Sequence, residues 1–214
     1  HLLKHNKGKG VMIGQMDDMD PRVVTVIGAG VAGTQSILKA IDNKALVKVV
    51  DSSQTKLDDL KSKYGSNNIE YILSTKDSIQ VSINESDLVI GSVYVVGKEA
   101  PKVITREMLS SMNPGTVMVD VSIDQGGCFE SSKPTTHDSP TFLENDIVHY
   151  CVTNMPGAVP LTATEALNKV SLSYVENLAN NGIENALNSD EHLRNGLNIL
   201  DGKIVHPGVK EALE

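Results

Sequence analysis

The sequence predicts an α/β fold in which a doubly wound parallel sheet is covered by helices. Three observations support this prediction. Short runs of β-branched residues alternate with amphipathic stretches from Arg22 onward, as in chains built from βαβ units. A glycine-rich turn follows the first run, and an acidic residue ends the second. The chain has 214 residues, 40% of them hydrophobic, which is enough for one substantial core.

Six short apolar runs predict the strands, because their β-branched content is typical of strands covered on both faces. They are residues 23–27, 46–50, 69–73, 88–90, 117–121 and 147–152, and the last run is predicted to close the sheet. Residues 122–146 contain too many Gly, Pro, Ser and Thr residues for regular structure. A loop of that length inside a domain usually has a function.

Helices are predicted between the strands where apolar residues recur at helical spacing. The first runs from Val31 to about Asn43. Ser53 can cap the second, and Gly65 stands where a left-handed residue ends a helix favourably. Two shorter helices are expected at residues 77–83 and 105–112.

A long amphipathic helix is predicted after Pro160. Residues 162–165 have the spacing of a capping box, and apolar residues then recur at helical spacing until Gly182. Because the predicted sheet is complete by Val152, we expect this helix to pack elsewhere, against a second domain or a partner subunit.

Composition argues against several functions. The net charge is −8 and no block of Lys and Arg is present, so we expect no nucleic-acid partner and no anionic membrane surface. No apolar run approaches the roughly 20 residues of a membrane span. Cys128 and Cys151 are too few for a disulfide framework, which favours buried free thiols and a cytoplasmic location. No spacing predicts a metal site.

The stretch VIGAGVAG has the G-x-G-x-x-G spacing of a phosphate-binding turn between a strand and a helix. Gly28 permits the tight turn, Gly30 lets the backbone approach a pyrophosphate, and Gly33 lets the helix pack against the strand. The helix N-terminus offers unpaired N–H groups to the phosphates. The pattern therefore predicts a Rossmann-type dinucleotide site.

Asp51 ends the second predicted strand, where its carboxylate can accept hydrogen bonds from the adenosine ribose hydroxyls. The same charge would repel the 2′-phosphate of NADP by very roughly 1 to 4 kcal/mol at about 4 Å, so NAD is the expected cofactor. Lys56 is a possible counterweight, although a solvated helix cation would look the same.

Three longer stretches resemble alanine dehydrogenase. They are DLVIGSVYVVGKEAPKVITREML at residues 87–109, VSIDQGGCFESSKPTTHDSPTF at residues 121–142 and VHYCVTNMPGAVPLTATEAL at residues 148–167. The resemblance extends over nearly all of the chain. The IDQGG segment is similar to the alanine dehydrogenase form rather than to transhydrogenase NAD-binding subunits or opine-type synthases of the same superfamily.

The resemblance implies NAD-dependent oxidation of L-alanine to pyruvate and ammonia by a homo-oligomer, most often a hexamer. It assigns the adenosine and pyrophosphate side of the cofactor to Gly28, Gly30, Gly33, Asp51 and Lys56. It assigns the cofactor cleft to Ser74, Val93 and Tyr94, and the nicotinamide end to Val121, Asn154 and Met155. Asp124 would be the active-site carboxylate. From the residues alone, Asp124 follows a strand that ends at the ligand crevice, but an Asp that only orders its loop is equally compatible.

Oxidation of an amino acid also needs groups that bind its carboxylate and move protons. In the family that this sequence resembles, those groups lie in an N-terminal segment, upstream of the region that this sequence resembles. The resemblance thus assigns residues 1–161 to an NAD-binding domain and residues 162–214 to a helical segment of a substrate domain. We expect this chain to bind NAD(H) without turning over alanine alone. An opine-type synthase, a transhydrogenase NAD-binding subunit and a non-catalytic nucleotide-binding module stay open as alternatives.

Overall fold

A computed structural model describes residues 1–97 and 99–213 of the chain. Within these residues, seven strands form one sheet. They are β1 (Val23–Ile27), β2 (Leu46–Asp51), β3 (Ile69–Leu73), β4 (Leu88–Gly91), β5 (Val117–Asp120), β6 (Thr141–Glu144) and β7 (Ile147–Tyr150). Three helices connect the first four strands: α1 (Val31–Asp42), α2 (Gln54–Tyr64) and α3 (Lys76–Glu85). This is the alternation of strand and helix that the sequence predicts.

The strand order is β3-β2-β1-β4-β5-β7-β6. All neighbours pair in parallel except β6 and β7, which are antiparallel. The winding changes direction between β1 and β4, and in such sheets ligands bind in the crevice beyond the carboxyl ends of the strands at this switch point. The predicted doubly wound, Rossmann-type fold is confirmed.

The sheet has an apolar core on each face. On one face, α1 and α2 bury Val24, Val26, Val47, Val49, Ile37 and Leu57. On the other, α3 and the 3-10 helix Glu107–Ser111 bury Ile27, Val50, Val89, Met118, Ile83 and Leu109. Burying a Val, Leu or Ile side chain stabilises a fold by roughly 1.5 to 3 kcal/mol. Both cores therefore hold the carboxyl ends of the strands in fixed positions.

Most predicted elements lie within a few residues of the observed ones, and the two caps predicted for α2 agree. The Oγ of Ser53 accepts a hydrogen bond from the N–H of Lys56 at the start of α2, and Gly65 follows that helix with φ 72°. The segment predicted as a helix at residues 105–112 contains a 3-10 helix, Glu107–Ser111.

The prediction that residues 147–152 close the sheet is wrong. The edge strand is β6, which lies within the segment that was expected to lack regular structure. Asn145 and Asp146 join β6 to β7 with φ values of 52° and 59°. Two left-handed residues form the tight turn whose twist matches a hairpin, and Asn and Asp tolerate that conformation better than most residues.

The chain forms two compact units. The sheet and its helices make up the first. The second begins at Asn154, includes Val96 and Gly97, and contains α4 (Pro160–Ser189), α5 (Glu191–Asn195), the hairpin of β8 (Ile199–Leu200) and β9 (Lys203–Ile204), and α6 (Pro207–Leu213). The domain boundary predicted between residues 161 and 162 stays a prediction. None of the helices described is both long enough and apolar enough to cross a bilayer.

The long helix α4 starts earlier than its predicted capping box. Val159 is the N-cap and Pro160 lies in the first turn, so the capping box at residues 162–165 lies inside the helix. Proline is favoured at the first helical position, because its missing N–H would have no partner there. Gly182 interrupts the helix with φ 72°, at the residue where the sequence predicts its end.

Candidate functional site

The glycine turn, residues 28–33, joins β1 to α1. Gly28 has φ 96°, and its N–H donates to the carbonyl of Val50 at 2.8 Å. A Cβ on Gly28 would lie 2.6 Å from the carbonyl oxygen of Ser92, and one on Gly33 would lie 1.8 Å from the carbonyl oxygen of Gly28. Among the described residues, a Cβ on Gly30 would meet no heavy atom within 4 Å. Packing thus requires two of the glycines, whereas the third borders open space.

Helix α1 begins within this turn, at Val31. Gly30 is its N-cap and provides no side-chain hydrogen bond to the first turn. The first N–H groups of a helix have no partner within the helix, and together with the helix dipole they favour an anion. The start of α1 can therefore receive the negatively charged oxygens of a phosphate.

Asp51 connects the end of β2 to the glycine turn. The residue is buried, with only 7% of its surface exposed. One carboxylate oxygen accepts the N–H of Ala29 at 2.7 Å, and the other accepts the N–H of Ser53 at 2.8 Å. A carboxylate oxygen has a second acceptor position, so Asp51 can hold the turn and still accept a hydroxyl group.

Two serines link the strand ends of the site. The Oγ of Ser92, just after β4, donates to the carbonyl of Gly28 at 2.7 Å. The Oγ of Ser122, just after β5, donates to the carbonyl of Val93 at 2.7 Å. The carboxyl ends of β1, β4 and β5 therefore form one hydrogen-bonded group at the same edge of the sheet.

The remaining predicted cofactor residues of the first unit lie at this edge or on the neighbouring helix. Ser74 follows β3, is half-buried, and donates its N–H to the carbonyl of Asp51 at 2.9 Å. Val93 and Val121 are half-buried, whereas Tyr94 is 66% exposed. Lys56 is exposed in the first turn of α2.

The Asp124 loop, residues 122–132, follows β5. Asp124 is exposed in the 3-10 helix Ile123–Gln125. Gly126 and Gly127 come next with φ values of 84° and 76°, and the ammonium of Lys102 donates to the carbonyls of both, at 2.7 Å for Gly127. An exposed carboxylate on a loop with fixed geometry can exchange a proton with a bound molecule.

Asn154 and Met155 belong to the second unit. The side-chain oxygen of Asn154 accepts the N–H of Gly157 at 3.2 Å and caps the 3-10 helix Met155–Ala158. This is the turn-capping role that the residue types alone allow. Their approach to a nicotinamide stays a prediction.

Both cysteines are free and buried, as predicted. Burial raises the pKa of the Cys128 thiol well above its ordinary value, and the charge and hydrogen bond of Asp120 raise it further. Burial likewise raises the pKa of Cys151. A thiol that stays protonated is a poor nucleophile, so these cysteines fill the core.

Sequence reasoning missed Asp120, Lys102, Ser92 and Ser122. Asp120 had a signal, because it is an acidic residue at the end of a buried strand, just as Asp51 is. The other three bond to backbone carbonyl oxygens, and such contacts follow no fixed sequence spacing.

The fold and this edge of the sheet define a dinucleotide-binding domain of the Rossmann type. The family model described as "Alanine dehydrogenase/PNT, C-terminal domain" matches residues 1–207. The chain belongs to this family, and the resemblance to alanine dehydrogenase is confirmed.

Individual relatives agree with the family. The chain is 47% identical to an alanine dehydrogenase of Halomonas elongata over 99% of its own length and 42% identical to one of Mycolicibacterium smegmatis over 100%. It spans 57% of the length of each of these relatives. A solved L-alanine dehydrogenase matches with a TM-score of 0.88 and 40% identity, over 99% of this chain and 58% of that one. A transhydrogenase from Sinorhizobium meliloti matches with a TM-score of 0.72 and 23% identity, over 91% of this chain and 55% of that one, and shows a shared fold.

Proposed function

We propose that this chain is the NAD(H)-binding part of an alanine dehydrogenase. The reaction is the oxidative deamination of L-alanine to pyruvate and ammonia. The observation that carries the proposal is the glycine turn held by Asp51 at the switch point of a doubly wound sheet. The identity of 47% to an alanine dehydrogenase supports the choice of reaction.

The residues at the sheet edge fit a dinucleotide. The space beside Gly30 is open, so a pyrophosphate can approach the backbone there. The first N–H groups of α1 carry no side-chain cap and can bind phosphate oxygens. When bound, the nicotinamide ring of the cofactor takes up a hydride.

Each residue of the site has a proposed role. The adenosine and pyrophosphate side is bound by Gly28, Gly30, Gly33, Asp51 and Lys56. The cleft is lined by Ser74, Val93 and Tyr94, and the nicotinamide end by Val121, Asn154 and Met155. Asp124 is proposed as the catalytic residue whose exposed carboxylate holds or moves a proton near the nicotinamide.

Asp51 favours NAD over NADP. Its carboxylate is buried beside the glycine turn, where a 2′-phosphate would bring a second negative charge close to it. At an effective dielectric typical of a protein surface, like charges about 4 Å apart repel by about 4 kcal/mol.

We also propose that the full enzyme is a cytoplasmic homo-oligomer, a hexamer as in the family that the sequence resembles. The groups that bind the substrate carboxylate are proposed to lie in the part of the relatives that this chain does not cover. Neither nucleic acid nor a membrane is a proposed partner.

Calorimetric titration of this chain with NADH and NADPH tests the cofactor assignment. We expect NADH to bind and NADPH to bind at least tenfold more weakly, a difference of about 1.4 kcal/mol or more. The variant Asp51→Asn should reduce the difference between the NADH and NADPH affinities, because it removes the negative charge that repels the 2′-phosphate. Asp58→Asn, which changes an exposed carboxylate on α2, is the matched control and should leave this difference unchanged.

A chain that binds neither nucleotide would contradict the proposal. An equal affinity for NADH and NADPH would contradict the role of Asp51. Formation of NADH from NAD and alanine by this chain alone would contradict the assignment of the substrate-binding groups to the part of the relatives that lies outside it.

A further inference from the structure

Asp120 is a carboxylate at the end of β5 that is 0% exposed. None of the ion pairs formed among the described residues includes it. Burying a carboxylate costs several kcal/mol unless hydrogen bonds replace its water. The placement of its hydrogen-bond donors therefore indicates what the buried carboxylate does.

Among the residues that the structure describes, all of the donors to the Asp120 carboxylate come from the Asp124 loop. The Oδ1 atom accepts the N–H of Ser122 at 3.0 Å and faces the thiol of Cys128 at 3.4 Å. The Oδ2 atom accepts the N–H of Cys128 at 2.8 Å, the hydroxyl of Ser132, and the N–H of Phe129 at 3.4 Å. One carboxylate thus joins the two ends of the segment that contains Asp124.

The loop backbone is shaped around this carboxylate. Gly127 has φ 76°, and a Cβ there would lie 2.8 Å from the Oδ2 of Asp120. Lys102 binds the carbonyls of Gly126 and Gly127. The N–H groups on one side and the carbonyls on the other are both satisfied, so the loop has one favoured shape.

We infer that Asp120 is a positioning residue that fixes the loop presenting Asp124, together with the adjoining Val121, to the nicotinamide end of the cofactor. The inference rests on the proposed function, because only bound NAD(H) gives the loop its role. Asp120 itself is enclosed by the loop and contacts no solvent.

The variant Asp120→Asn tests the inference in this chain. It keeps the size of the side chain but replaces one acceptor oxygen by an NH₂ donor, which would face N–H groups in either orientation. ADP-ribose is the comparison ligand, because it lacks the nicotinamide and depends on the glycine turn and Asp51. We expect NADH affinity to fall roughly tenfold, and ADP-ribose affinity to change less than about twofold.

Asp87→Asn is the matched control. Asp87 is also a buried carboxylate, and it accepts the N–H of Val23 at 3.1 Å and the ammonium of Lys9 at 2.9 Å. It directly precedes β4, at the amino ends of the strands, whereas Asp120 lies at the carboxyl ends. Its substitution should lower the free energy of unfolding without changing the ratio of NADH affinity to ADP-ribose affinity.

A ratio that falls in Asp120→Asn and stays constant in Asp87→Asn supports the inference. An unchanged ratio in Asp120→Asn overturns the inference, whether both affinities stay constant or both fall equally. An equal fall is what a purely structural role would produce. If Asp120→Asn fails to fold by circular dichroism, Ser132→Ala decides the question. That variant removes one donor to Asp120, and it should lower the ratio by a smaller factor; an unchanged ratio would overturn the inference.

Amide hydrogen exchange provides a test that needs no nucleotide. In Asp120→Asn, exchange at Cys128 and Phe129 should accelerate roughly tenfold while β1 and β2 stay protected. Unchanged exchange at these amides would overturn the inference. A wild-type chain that binds neither ligand would contradict the proposed function, and the exchange result would then decide separately whether Asp120 fixes the loop.

Discussion

Two strands of this sheet end in a buried aspartate, and each aspartate organises a different part of the candidate site. Asp51 ends β2 and accepts N–H groups from the glycine turn and from the start of α2. Asp120 ends β5 and accepts N–H groups from the Asp124 loop. In both cases a carboxylate replaces the backbone partners that a strand end loses when the chain leaves the sheet.

The two aspartates differ in what else they can bind. Asp51 is 7% exposed and accepts two backbone N–H groups, so it retains acceptor positions for a ribose. Asp120 is 0% exposed, and donors surround both of its oxygens. The first therefore combines support with recognition, whereas the second provides support alone.

This difference shows how to separate a binding carboxylate from a positioning one. Both residues are aspartates and each is the last residue of its strand, so the sequence position alone does not distinguish their roles. The distinction depends on how many acceptor positions the local backbone already uses. Variants in the glycine turn and near the Asp124 loop can test whether a change in one region leaves the other unaffected.

Gly33→Ala should have the largest effect. The added Cβ would lie 1.8 Å from the carbonyl oxygen of Gly28 and 2.6 Å from the Oγ of Ser92, so the backbone of the turn has to move. We expect a loss of about 3 kcal/mol in the free energy of unfolding, at the upper end for an overpacked site, and no measurable NADH binding. Urea unfolding and calorimetry measure both. A variant as stable as wild type would contradict the packing argument.

Gly30→Ala should act on binding alone. Gly30 has φ −75°, which alanine adopts readily, and its added Cβ would point into open space. We expect the free energy of unfolding to change by less than about 1 kcal/mol, the range for replacing a glycine N-cap. NADH affinity should fall roughly tenfold, because the Cβ occupies the space of the pyrophosphate. Unchanged NADH affinity would show that the pyrophosphate does not approach this backbone.

These two glycines also show how much the sequence could predict. The G-x-G-x-x-G spacing, the preceding strand and Asp51 identify the turn, because each has a fixed position relative to the others. The parallel strands were predictable for a similar reason, since buried β-branched runs alternate with helical spacing. Periodicity and motif spacing are local properties, and the structure agrees with them in the parallel strands and the glycine turn, although the capping-box spacing at residues 162–165 lies inside α4.

The second region could be predicted only in part. Asp124 was identified by its place after a strand and by resemblance, but Asp120 was not, because its partners are backbone N–H groups, a thiol and a hydroxyl at no fixed sequence spacing. The edge strand β6 was missed because a four-residue strand in a polar segment has too short a pattern to detect. The Asn145–Asp146 pair was the available signal for its hairpin.

His149 on β7 supplies the last and smallest prediction, and it concerns the Asp124 loop. Its Nδ1 lies 3.0 Å from the carbonyl oxygen of Ile147, which can only accept, so Nδ1 carries the proton. Its Nε2 lies 2.8 Å from the Oγ of Ser131 and accepts from that hydroxyl. Burial lowers the pKa of His149, and the charges of Arg106 and Lys133 lower it further, against the opposing effects of the Ile147 carbonyl and Asp120.

Because the pKa of His149 is lower in the folded chain, the unfolded chain takes up a proton there first as the pH falls below about 6.5. The contribution of neutral His149 to the free energy of unfolding is therefore fully present above this pH. It declines below this pH, by at most about 1.4 kcal/mol per pH unit for one proton. Urea unfolding between about pH 7.5 and about pH 5.5 should show this decline, and His149→Gln should flatten it. Equal slopes in the two proteins would contradict the assignment. Over the same range, amide protection relative to the intrinsic exchange rate at each pH should fall near Ser131 and not in the glycine turn, since the proton acts on only one of the two regions.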